Sequence, residues 1–98
     1  MSQTCQSLAD VRENIDRLDR LIVPLLSERA GYVAQAAGFK VTRDKVVDQP
    51  RIEAIVAKVR GLAEAEGCDP LLIERIYRAM IEAYIAFESG VWDGAHGA

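Results

Sequence analysis

From Leu8 to Ala36 the chain places apolar residues at steps of three and four: Leu8, Val11, Ile15, Leu18, Ile22, Leu25, Tyr32 and Ala36. Arg29 stands in the same row. This period is the stripe of a helix that packs on other helices, and it runs to about Lys40. A helix over residues 7–40 spans about 50 Å at ~1.5 Å per residue. A compact chain of about 100 residues has a radius of gyration of only about 13 Å. Such a helix overhangs its own subunit, with an apolar seam along the overhang. The spacing therefore predicts an intertwined helical homodimer, with C2 symmetry as the commonest arrangement.

Pro24 falls inside this stretch, where an interior proline removes a hydrogen bond and clashes with the preceding turn at a cost of ~3 kcal/mol. Either a long helix kinks there or two helices meet there. The seam keeps its phase across Pro24 and no turn cluster accompanies it, which favours the kinked helix. A monomeric four-helix bundle split at Pro24 is the alternative fold.

The rest of the chain also reads as helix. "SLADVRENI" offers Ser7 or Asp10 as a cap. "VTRDKVVDQP" reads as a loop. A second helix is predicted from about Pro50 to Glu66, with Ile52, Ile55, Val56, Val59, Leu62 and Ala63 on its apolar face. In "EGCDP", Gly67 stops that helix, Asp69 caps the next, and Pro70 sits in its first turn. The third helix is predicted to about Gly90, with Ile73, Ile76, Tyr77, Met80, Ile81, Tyr84 and Ile85 inward. The tail "GVWDGAHGA" should fray, and residues 93–98 are expected to be a flexible tail. The expected architecture is all-α: one domain over residues 1–98, three helices per chain, and a core from 8 to 92.

Composition excludes several function classes. A net charge of −3 does not suit a general nucleic-acid or membrane-surface binder. Cys5, Cys68 and the single His96 cannot form a zinc site, so no metal and no cofactor are expected. Two free thiols, a polar N-terminus without an apolar run and no membrane-length segment point to the cytoplasm. No Ser-His-Asp or Cys-His pair and no Gly-rich phosphate loop is visible. An enzyme here would work by positioning and electrostatics.

Charged residues stand where apolar ones are expected. Arg29 has Leu25, Leu26, Tyr32 and Val33 at its helical neighbour positions. Lys40, eleven residues on, would point within about 20° of Arg29 on a continuous helix. Arg12 flanks the seam, Arg51 flanks the second helix, and Glu88 continues the row of Tyr77, Ile81 and Tyr84. Unpaired buried charges cost several kcal/mol, so each needs a partner or a path to water. One reading pairs Arg29 with Glu88 and lets Lys40 and Arg51 reach solvent. The other is a cationic pocket for a small dicarboxylate.

Several stretches carry a resemblance: "LADVRENIDRLDRLIVPLLSER", "YVAQAAGFK", "PRIEAIV" and "MIEAYIAFE". With R-x-x-I-D-x-L-D, L-L-x-E-R and a lysine eleven residues later, the chain resembles the all-helical (type II) chorismate mutases, including the isochorismate-pyruvate lyase branch. The resemblance covers about residues 8–92. It implies two interwoven subunits and two active sites, each lined by both chains, with a small-molecule substrate. By that resemblance Arg12 reaches into the partner's site and holds a carboxylate. Arg29 holds the other. Lys40 donates to the bridging ether oxygen, and Arg51 adds a carboxylate or lid contact. The backbone N–H of Asp48 meets the ring hydroxyl. Tyr84 belongs to the substrate-binding set, and Glu88 addresses the ether oxygen. The implied catalytic group is Arg29, Lys40 and Glu88, acting in the pericyclic conversion of chorismate to prephenate.

Two departures from the family pattern bear on chemistry. Glu88 stands where glutamine is usual. A carboxylate accepts but cannot donate, whereas a carboxylic acid can donate; turnover should therefore fall as pH rises, and Glu88→Gln should abolish that dependence. Ile52 stands where many mutases have a glutamate acceptor for the ring hydroxyl, and Glu53 points about 100° away. This opens the alternative that the chain releases pyruvate and salicylate from isochorismate. A second alternative is a non-catalytic dimerisation module whose charges are structural.

Overall fold

The computed structural model describes residues 2–96. It contains three α-helices, and no strand occurs among the described residues. The chain divides into two compact units, residues up to Tyr32 and residues from Val33 onward.

The first unit is the N-terminal segment and most of α1, which runs from Leu8 to Gly38. Ser7 caps it: the Asp10 backbone N–H donates to Ser7 Oγ at 3.1 Å. Asp10 in turn accepts from the Gln6 backbone N–H at 3.3 Å. These bonds satisfy donors that the first helical turn leaves without intrahelical acceptors. The helix continues through Pro24. Its apolar seam is solvent-exposed in the single chain: Leu8, Ile15, Leu18, Ile22 and Leu25 all show large open surfaces, 66% for Leu25.

The second unit begins within α1, whose last turns bury Ala37 completely. The helix ends at Gly38, two residues before the predicted limit. The expected loop contains a short 3-10 turn over Arg43–Val46, which packs on the third helix and buries Val46. Helix α2 spans Gln49–Ala65 with Pro50 in its first turn. Asp48 caps it, Oδ1 accepting from the Arg51 backbone N–H at 3.0 Å. Gly67, at φ 70°, ends it. The Gly67 N–H reaches the Glu64 carbonyl at 3.0 Å and the Cys68 N–H reaches the Ala63 carbonyl at 2.8 Å. That pair of bonds is the Schellman closure. Asp69 then accepts from the Leu71 N–H at 2.9 Å and opens α3 at Pro70.

Helices α2 and α3 pack together, and Val56, Val59, Ala63 and Ile81 form the buried centre. Two predicted face residues, Leu62 and Ile76, are exposed. Helix α3 extends to His96, beyond the expected end near Gly90. The fraying expected of "GVWDGAHGA" is corrected for residues 90–96. These are helical, because Trp92, Asp93 and His96 all find partners described below. Residues 97 and 98 lie outside the described residues. Among those described, no helix is long and apolar enough to cross a membrane.

Candidate functional site

Among the described residues Glu88 is the buried charged one, 6% exposed on α3. A carboxylate in that position needs a donor. Lys40 supplies it, with Nζ 2.5 Å from Oε2 and the lysine side chain 26% exposed. The lysine therefore does not simply reach water. One of its three donors is engaged by Glu88, which leaves the ammonium able to serve a second acceptor.

Lys40 is not aimed by α1. It lies past the helix end, and its backbone N–H closes a loose turn on the Ala37 carbonyl at 3.3 Å. The continuous helix on which that alignment with Arg29 was reckoned ends at Gly38. Residue 40 is held from α3 instead. Trp92 Nε1 donates to the Lys40 carbonyl at 3.0 Å. The Trp92 ring stacks on His96, with centroids 4.3 Å apart and planes 12° off parallel. Beside them Arg43 makes two bonds to Asp93, at 2.8 and 3.3 Å. The arginine holds the Asp93 carboxyl below its ordinary range.

The other predicted residues fall as follows. Tyr84 lies one turn before Glu88 on α3 and is half-buried. Asp48 and Arg51 meet through the α2 cap, and both are exposed. Arg12, exposed, and Arg29, half-buried, lie on α1 within the first unit. Ile52 is half-buried. Glu53, the nearest acid to it in sequence, is occupied elsewhere: both its oxygens receive Arg78, at 2.9 and 3.0 Å, and Gln49 adds a bond at 3.0 Å. Glu53 therefore does not substitute for an acceptor at position 52.

Sequence reasoning missed Trp92. The signal was present, because Trp92 is four residues after Glu88 and shares its helical face. The expectation of a fraying end hid it. Among the described residues no group of three or more His, Cys, Asp and Glu side chains is gathered as a metal site would require. The thiols of Cys5 and Cys68 are free.

Chemically this is a lysine paired with a buried carboxylate on an all-helical scaffold. Comparison with known proteins supplies the family. Residues 11–89 fit the pattern described as chorismate mutase type II, so the chain belongs to that family. It is also 34% identical over 96 residues to the isochorismate pyruvate lyase of Pseudomonas aeruginosa, covering 98% of this chain and 95% of that protein.

Proposed function

We propose that this protein is a homodimeric enzyme, a single catalytic domain with its core over residues 8–92, that rearranges chorismate to prephenate in the cytoplasm. The observation that carries the reading is the Lys40–Glu88 pair: a lysine held against a buried carboxylate, at the two positions the family resemblance directs to the ether oxygen. In the rearrangement the breaking C–O bond moves negative charge onto that oxygen. A preorganised ammonium stabilises the change more than it stabilises the ground state, and that difference is catalysis. A 10⁶-fold acceleration requires about 8 kcal/mol.

In this reading Arg12 and Arg29 hold the two substrate carboxylates, with Arg51 as a further contact. Tyr84 lines the pocket, and the Asp48 N–H meets the ring hydroxyl. Arg12 is supplied by the other subunit. Glu88 as a carboxylate only accepts, and Lys40 is its donor. A neutral amide at this position can donate to the ether oxygen, so Glu88→Gln tests the contact. The exposed seam of α1 supports the dimer, since burying one large aliphatic side chain yields roughly 1.5–3 kcal/mol.

A second reading is isochorismate-pyruvate lyase, in which isochorismate divides into salicylate and pyruvate. Two observations favour it: the apolar Ile52, with Glu53 committed to Arg78, and the name of the Pseudomonas relative. The deciding experiment incubates the purified protein separately with chorismate and with isochorismate and identifies the products. Prephenate from chorismate supports the mutase. Salicylate and pyruvate at a far higher rate support the lyase. Turnover of neither rejects both.

A further inference from the structure

We propose that Trp92 is a positioning residue that sets the reach of Lys40. This rests on the reading that Lys40 addresses the substrate's ether oxygen. Lys40 belongs to no regular element: α1 has ended at Gly38, and the 3-10 turn begins at Arg43. Its flexible side chain would otherwise sweep a wide arc from a mobile origin, at the cost of considerable rotamer entropy whenever it is fixed. Helix α3 removes that freedom at two points. Trp92 Nε1 holds the backbone carbonyl at 3.0 Å, and Glu88 holds the ammonium at 2.5 Å. Glu88 and Trp92 are four residues apart, so one face of one helix grips both ends of the same residue.

Trp92 is itself fixed. His96 stacks on its ring, and His96 Nδ1 lies 3.0 Å from the Trp92 carbonyl oxygen. The Arg43–Asp93 pair joins the same two segments, but both side chains are more than half exposed. Such pairs contribute little. The indole bond, partly buried, is the stronger candidate for holding the loop.

The test is Trp92→Phe, which removes the N–H donor and keeps an aromatic ring, with Trp92→Leu as a second variant that also lacks a donor should the first not fold. Turnover of whichever substrate the wild type accepts should fall about tenfold in kcat, within the range that small misplacements of a catalytic group cause. KM should stay within about twofold, the split expected when a transition-state contact is misplaced. A second readout does not need activity. Competitive acetylation with acetic anhydride, read by mass spectrometry, measures how accessible each lysine amine is. In the wild type Lys40 should label more slowly than Lys45 and Lys58. The variant should speed Lys40 selectively. Equal acceleration at all three lysines would show general loosening and overturn the proposal. So would an unchanged kcat with unchanged Lys40 labelling. If the wild type turns over neither chorismate nor isochorismate, the catalytic reading falls and the labelling alone judges the clamp: selective acceleration of Lys40 supports it, and its absence overturns it.

Discussion

Lys40 and Glu88 carry the most consequence per atom. Removing the ammonium strands a buried carboxylate, a change that costs about 3–5 kcal/mol when burial is complete and less where, as here, the lysine is partly wet. Lys40→Met is therefore expected to lower the urea midpoint clearly, and adding Glu88→Gln should restore much of the loss. The same neutral amide tests the chemistry. Glu88→Gln exchanges a group that only accepts for one that also donates, so turnover of chorismate should be kept or raised; its loss would remove a donor role at this position. Arg29→Met separates a site from a structural charge. An arginine whose role is only structural leaves its partner group unpaired when an apolar residue replaces it, so stability should fall. The expected result is an intact fold, by circular dichroism, with turnover lost.

Between elements, α2 and α3 are tied by a four-residue network. Arg78 bonds Glu53 and Glu74, and Arg60 reaches Glu74 from α2 at 2.5 Å. Arg78 lowers the Glu53 carboxyl below its ordinary value, and Arg78 followed by Arg60 does the same for Glu74. A carboxyl that is more acidic folded than unfolded adds stability above the unfolded value, and that stability is lost as pH falls through the folded one. Thermal midpoints should therefore decline on acidification below the ordinary glutamate value of 4.5. Glu74→Gln should flatten that limb while leaving the protein less stable near neutrality. The α2–α3 turn offers a cleaner backbone test. A side chain at Gly67 would meet nothing within 4 Å, yet the residue sits at φ +70°. The cost of Gly67→Ala is thus conformational rather than steric, about 1 kcal/mol, and denaturant melts will measure it.

For the whole molecule, the open question is what covers α1. Leu18 is 45% exposed in the single chain. In a monomer Leu18→Asp on such a surface should change stability by no more than about 0.5 kcal/mol. In the proposed dimer it places a charge in the seam, so sedimentation should show the wild type at twice the chain mass and the variant dissociated. Melting of the wild type should also rise with protein concentration. A single-chain mass for the wild type would remove the shared-site reading.

The local grammar was legible in the residues. Ser7, Gly67 and Asp69 mark helix boundaries because capping depends on a few adjacent groups, and the period of the apolar residues marks the faces. The resemblance also reached the family before any geometry was known. The pairings were not legible. Glu88 could have taken any cation; it takes Lys40, which is 48 positions away and outside the helix expected to aim it. Glu53 could have faced the site; Arg78 on α3 holds it. Trp92 looked like part of a loose end until the loop beside it offered a carbonyl. Caps and periods are decided within a turn or two of chain, so sequence determines them. Which charge meets which, and which end is held, depends on elements brought together only by the packing of α2, α3 and the loop before them, and so only the tertiary structure decided it.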